Sequence, residues 1–311
     1  MRTKKVIITG ATSMIGCGLI KYLLKKNVKI FAVIRPNSKN KWKLNNFKVE
    51  IIECDLNNIK NLYKLLKKEK AIDAFFHFGW EYTDRENRNN YEKQKKNILY
   101  SINSLKVAKQ LGAKVFIGAG SQAEYGRVNY PISENYKPKP EIAYGKAKLL
   151  TYQKLEKISK KLNIKFIWVR IFSAYGPYES ENTLISYCIN QLLDSKSPVL
   201  TKCEQKWDYL YVDDVARALY LLWKKAKHSG VYNLGCGKAR KLLYYVKIIH
   251  KLINPKIKLI IGGKEYSDKQ IIYLCADISK IKREIGFKPK ISFKKGIIET
   301  IKYWRKIRDG G

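Results

Sequence analysis

The chain has 311 residues and carries 63 Lys and Arg against 26 Asp and Glu, a formal net charge of +37. Six cysteines without a C-x-x-C pair, and only three histidines, exclude a structural zinc site and a disulfide framework, so a reducing cytoplasm is expected. No run approaches the ~20 apolar residues that span a bilayer, and the N-terminal apolar run is too short for a signal peptide and stops at Gly10.

Residues 5–9 read as a short buried strand, and GATSMIGCGLIKYLLKK after it has helical periodicity. The strand turns sharply into a helix at Gly10, Gly16 lets helix and sheet pack closely, and the helix N-terminus offers free N–H groups to a pyrophosphate. Gly10, Thr12, Ser13, Met14, Ile15 and Gly16 are the candidate contacts. Ser13 stands where a middle glycine is expected, and its hydroxyl is a candidate phosphate donor. A second strand at 29–34 ends at Arg35, followed by Asn37, Ser38 and Lys39. An acidic residue there would bind the ribose 2′-hydroxyl of NAD(H); arginine suits a 2′-phosphate, so NADP(H) is the expected cofactor and NAD(H) the alternative.

Further strands are expected at 49–52, 73–78, 114–118, 165–170 and 231–234, with helices in most intervals. This alternation predicts an α/β fold with a doubly wound parallel sheet. His77, on an apolar strand end, reads as a packed, hydrogen-bonded residue and not a base. In EIAYGKAKLL, Tyr144 and Lys148 are four residues apart on a helix and share a face, so the ammonium can sit beneath the phenol and favour the phenolate. Ser121, at a strand end, completes a set that holds a carbonyl oxygen and moves a proton to or from it while a nicotinamide moves a hydride.

With these residues in view, the chain resembles the extended short-chain dehydrogenase/reductases that act on nucleotide sugars (the NAD-dependent epimerase/dehydratase family), over nearly its whole length. TGATSMIG is similar to TGxxGxxG, HFGW to an HxAA strand end, GAGSQAEYG to SSxxxYG, RIFSAYGP to RxxNxYGP, WDYLYVDDVARAL to RDFxYVDDxxxA, and VYNLGCGKA to the glycine-turn strand that follows. The resemblance implies a Rossmann-type domain at 1–176 and 207–235 and a smaller α/β nucleotide-sugar domain at 177–206 and 236–311. It further implies cofactor contacts from Asp55, Leu56, Phe78, Gly79, Trp80, Asn97 and Ile171. A homodimer built on helices near 89–111 and 142–162 is also implied.

Departures select the branch. Gln122 and Ala123 replace the acidic pair of the 4,6-dehydratases, and Glu124 is expected on the opposite face of an extended segment, so dehydration is not expected. Ala123 and Tyr178 replace the cysteine and histidine of the GDP-fucose synthases. What remains resembles a 4-ketoreductase of the CDP-abequose and CDP-paratose synthase kind. The implied reaction is NADPH-dependent reduction of a CDP- or dTDP-linked 4-keto-6-deoxy sugar for surface polysaccharide, with Ser121, Gln122, Ala123, Ser173, Lys206, Trp207 and Arg240 facing the substrate. Ser173 and Trp207 replace the family's asparagine and arginine, which leaves Lys206, Arg240 or another base to neutralise the diphosphate. A 4-epimerase with retained NAD and a non-catalytic NADP-sensing regulator are the alternatives. The basic charge, spread without a localised arm, attracts anionic nucleotides and would equally favour an anionic membrane surface; no specific nucleic-acid module is recognisable.

Overall fold

The computed structural model describes residues 2–69, 71–84, 86–267 and 270–310. In chain order the elements are β1 (Lys4–Thr9), α1 (Met14–Leu24), β2 (Val28–Ile34), β3 (Glu50–Glu53), α2 (Asn61–Leu66), β4 (Ala74–His77), α3 (Tyr91–Gln110), β5 (Val115–Ser121), α4 (Ala143–Lys161), β6 (Lys165–Ile171), β7 (Ser173–Tyr175), α5 (Leu184–Leu193), β8 (Val199–Leu200), β9 (Lys206–Trp207), β10 (Tyr209–Tyr211), α6 (Val212–Lys225), β11 (Gly230–Leu234), β12 (Arg240–Lys241), α7 (Leu242–Ile253), β13 (Ile260–Ile261), β14 (Tyr273–Leu274), α8 (Ser279–Ile285) and α9 (Phe293–Arg308).

The seven strands expected from the sequence form one parallel sheet in the order β11-β6-β5-β4-β1-β2-β3. Alternation within each strand feeds both faces. In β1, Val6 and Ile8 join an apolar cluster with Leu19 of α1 and Leu219 of α6, whereas Ile7 joins Leu105 of α3 and Leu155 of α4. Burial on both sides is why these strands are near-continuous Val, Ile and Phe. The chain runs outward from β1 to β3 and then crosses to β4 on the other side. That reversal opens a crevice beyond the carboxyl ends of β1 and β4, the place where ligands bind in such sheets.

One strand extends past its expected end. Strand β5 continues through Gly118 and Gly120 to Ser121, because those glycines make room for the Trp168 indole of β6: a Cβ would stand 2.6 Å from its ring at Gly118 and 2.4 Å from Nε1 at Gly120. Helices α5, α7 and α9 enclose a separate cluster that includes Ile189, Val246 and Ile301. The remaining strands form the short sheets β10-β7, β12-β9-β14 and β13-β8. Among the described residues no helix is long and apolar enough to cross a membrane.

Candidate active site

The β1–α1 turn is built by close approach. Gly10 has φ +65, and a Cβ there would lie 2.7 Å from the backbone of Phe78 and Gly79; one on Gly16 would lie 2.4 Å from the Gly10 carbonyl. Ser13 has an extended backbone (φ −72, ψ 160) that needs no glycine, and its Oγ accepts the Gly16 N–H at 3.0 Å, capping α1. Thr12, Met14 and Ile15 are half-buried around it. On the far side of the turn, Leu56 packs on Gly79, and the Asp55 carboxylate caps the next turn through the Asn57 N–H at 2.8 Å. A glycine-only approach at Gly10 beside the N-terminus of α1 fits a dinucleotide pyrophosphate.

Arg35 is exposed one residue past β2. It shares its surroundings with Glu81, whose carboxyl is pushed up by burial and then by Asp55, and pulled down by Arg35 and Lys96. Asn97, fully buried on α3, holds Glu81: its Oδ1 accepts the Glu81 N–H at 2.7 Å and its Nδ2 donates to the Glu81 carbonyl at 3.2 Å. His77 is enclosed between Thr9 Oγ1 (2.8 Å) and Ser101 Oγ (3.0 Å), and burial, then Lys148, push it down to about 3. A neutral imidazole with both nitrogens engaged is a packing residue.

Ser121 ends β5 beside Ile171, its register partner in β6. Its Oγ accepts the Ala123 N–H at 3.1 Å, and its own N–H donates to Glu124 Oε1 at 2.8 Å, a capping box. The segment is therefore a 3-10 turn over Gln122–Glu124 and not extended. The turn folds Glu124 behind the serine, where it is fully buried and accepts Arg170 Nε (2.7 Å) and Trp168 Nε1 (3.0 Å). The extended segment expected here is replaced by this turn, and it is the capping box that turns Glu124 inward.

Tyr144, in the first turn of α4, neighbours the Ser121 hydroxyl, which favours its ionised form. The loop after β4 caps that helix: the Arg88 carbonyl accepts the Tyr144 N–H and Asn89 Oδ1 the Ala143 N–H, both at 3.1 Å. Lys148 is buried; its Nζ donates to the Ala119 carbonyl at 2.7 Å and lies 3.6 Å from the centroid of the Trp80 ring. Trp80 meets Tyr144 edge-on at 5.9 Å and donates from Nε1 to Gln94 at 2.9 Å. Lys148 Nζ is 5.7 Å from the Tyr144 centroid, whereas the Arg88 guanidinium carbon is 4.4 Å away. Burial pushes the Tyr144 phenol up, opposed first by Arg88 and then by the Ser121 hydrogen bond. Burial pushes the Lys148 ammonium down to about 7, with Glu124 opposing and Arg88 reinforcing.

Next to Ser121, Ala123 is buried and Gln122 holds its Oε1 buried without a hydrogen-bond partner. The two departures at 173 and 207 prove to be partners: Trp207 Nε1 donates to Ser173 Oγ at 2.7 Å. Trp207 also faces Arg240 in the β9–β12 register, as Lys206 faces Lys241, and both Lys206 and Arg240 are exposed. Glu179, which follows Tyr178 (φ 69), is pushed up to about 8 by burial.

The NAD dependent epimerase/dehydratase family profile matches residues 6–235. The chain belongs to this family. It is similar to dTDP-4-dehydro-6-deoxyglucose reductase of Escherichia coli, 26% identical over 97% of this chain and 98% of that one. It is also similar to CDP-abequose synthase of Salmonella muenchen, 26% identical over 94% and 96%. Among solved structures, the UDP-N-acetylglucosamine 4-epimerase of Methanobrevibacter ruminantium superposes with a TM-score of 0.89 at 26% identity, covering 99% of this chain and all of that one. As a member, the chain is an NAD(P)-dependent enzyme of nucleotide sugars.

Two residues at the site of this family member, Arg170 in its ion pair and Arg88, escaped the sequence reading, and the capping role of Glu124 did too. That role had a legible signal, Ser-x-x-Glu at capping-box spacing. Arg170 belongs to a matched motif, but its buried ion pair has no local trace. Arg88 lies in a loop without periodicity, where nothing local announces its contact with a ring 56 positions on.

Proposed function

We propose that this chain is an NADPH-dependent reductase that converts the C4 carbonyl of a nucleotide-linked 4-keto-6-deoxy sugar to a hydroxyl, in deoxysugar biosynthesis for surface polysaccharide. The observation that carries the reading is the Ser121 hydroxyl beside the Tyr144 phenol, with Lys148 on the same helix and, among the described residues, no unpaired carboxylate in the turn after β5. Glu124 is consumed by Arg170 and Trp168, and Gln122 and Ala123 have no acid to give. Such a site can move one proton at one oxygen but cannot expel water from the sugar. The similarity to a 4-keto sugar reductase and to an abequose synthase supports the same chemistry and a dTDP or CDP base.

The bound dinucleotide supplies the hydride. Gly10, Thr12, Ser13, Met14, Ile15 and Gly16 would hold its pyrophosphate, Asp55 and Leu56 its adenine, and Arg35 a 2′-phosphate. Phe78, Gly79, Trp80, Asn97 and Ile171 line the rest of its cleft. Ser121 aligns the carbonyl and Tyr144 gives its proton to the C4 oxygen. A phenol held up by burial is protonated at neutral pH, the form a reductase needs. Lys148 holds the nicotinamide ribose. Residues 177–206 and 236–311 form the nucleotide-sugar lobe, with Trp207 braced by Ser173 and with Lys206 and Arg240 nearest the diphosphate. Two copies pair through α3 and α4, where Leu99 is left exposed.

One observation favours a second reading, a 4-epimerase with retained NAD. Glu81 and Asp55 put carboxylates in the field of Arg35, which suits a ribose hydroxyl better than a phosphate. Absorbance at 340 nm decides. Stoichiometric loss of NADPH with a nucleotide 4-keto-6-deoxy sugar is the expected result; turnover of a 4-hydroxy nucleotide sugar without added cofactor would establish the epimerase instead.

A further inference from the structure

We infer that Arg88 is a positioning residue for proton transfer: its guanidinium, laid on the face of the Tyr144 ring, adds a fixed positive charge to that of Lys148 and stabilises the phenolate. The inference rests on Tyr144 being the proton shuttle, but not on which sugar is reduced or epimerised.

The geometry separates two cations. Arg88 Cζ lies 4.4 Å from the Tyr144 centroid and Lys148 Nζ 5.7 Å. The ammonium is also committed elsewhere, to the Ala119 carbonyl at 2.7 Å and the Trp80 face at 3.6 Å. Arg88 has no such commitment. Its Nε is buried without a hydrogen-bond partner, and among the described residues no ion pair to a carboxylate is found for it. An uncompensated guanidinium delivers its charge to its nearest neighbour, here an aromatic ring whose face attracts cations.

Arg88 is also fixed relative to its target. Gln94, fully buried on α3, donates to the carbonyls of Tyr82 (2.6 Å) and Asn87 (3.2 Å), and Asp84 Oδ1 accepts the Asn87 N–H at 3.0 Å. The Arg88 carbonyl then takes the Tyr144 N–H, so loop and helix end move together. The other charged groups around the phenol are Lys148 on its own helix and Glu124 from the turn after β5, which Arg170 of β6 neutralises; His77 of β4, behind Lys148, is uncharged. The electrostatics agree with the geometry. Arg88 is the first of the groups opposing the rise of Tyr144, and a guanidinium stays charged throughout the accessible pH range.

The test reads the tyrosine directly. In the full-length chain labelled with 13Cζ-tyrosine, the Tyr144 resonance is identified by its loss in Tyr144→Phe and titrated with pH. Arg88→Gln is expected to raise its midpoint by about one unit or more, the size of effect an adjacent opposite charge exerts. Arg88→Lys, which keeps a charge without the planar stack, should raise it less. If Arg88→Gln does not fold, Arg88→Lys alone decides. An unchanged midpoint in the folded Arg88 variant would overturn the inference. No substrate is involved, so failure of the reductase reading and failure of this one are told apart. Once a substrate is in hand, the alkaline limb of kcat/KM for reduction should move up with the same midpoint, which a merely structural arginine would not cause.

Discussion

Glu179 shows how the fold holds an acid in its neutral form. Tyr178 takes a left-handed backbone, and the next side chain is turned inward so that its Oε2 is buried without a hydrogen-bond partner, although the residue as a whole keeps some exposed surface. Burial raises it to about 8 from an ordinary 4.5, against the opposing hydroxyls of Thr183 and Ser186. Because the folded value lies above the unfolded one, the stabilisation is fully present below pH 4.5 and is lost as pH rises through 8. Glu179→Gln stays neutral throughout. Its Tm should match the native protein at pH 4.5 and exceed it at pH 9 by about 2 °C or more. The same Tm difference at both pH values, measured by calorimetry, would show that the carboxyl is not held neutral.

At the scale of elements, the strands were legible because two-sided burial selects uninterrupted β-branched and aromatic runs, which periodicity detects. The end of β5 was not. Gly118 and Gly120 carry the ordinary signal of a strand ending, and only the Trp168 indole on the neighbouring strand explains why the pairing continues to Ser121. The trio of Ser121, Tyr144 and Lys148 was readable from spacing and motif, but its supports were not, since the Trp207–Ser173 bond spans 34 positions and Arg88 reaches Tyr144 from a loop. The Glu124–Arg170 pair ties β5 to β6 directly behind the serine. Removing one member of a buried pair leaves the other charge uncompensated, so Glu124→Gln should cost about 3 kcal/mol in urea unfolding and lower turnover by misplacing Ser121. A variant within ~0.5 kcal/mol of native would mean that Arg170 finds another partner.

For the whole molecule, the sheet and the charge act together. The reversal between β1 and β4 gathers the ends of β1, β4, β5 and β6 at one edge, so the glycine turn, Trp80, Ser121 and Ile171 are delivered to a single crevice by strands far apart in sequence. A formal charge of +37 surrounds that crevice with a field favouring anionic dinucleotides and nucleotide sugars at low salt. In the proposed reaction one half-buried phenol hands its proton to the sugar oxygen. Single-turnover absorbance at 340 nm with Tyr144→Phe, saturated with NADPH and mixed with a nucleotide 4-keto-6-deoxy sugar, tests it most directly. The variant is expected to bind NADPH as the native enzyme does and to oxidise it at least ~100-fold more slowly; oxidation at the native rate would remove the phenol from the reaction.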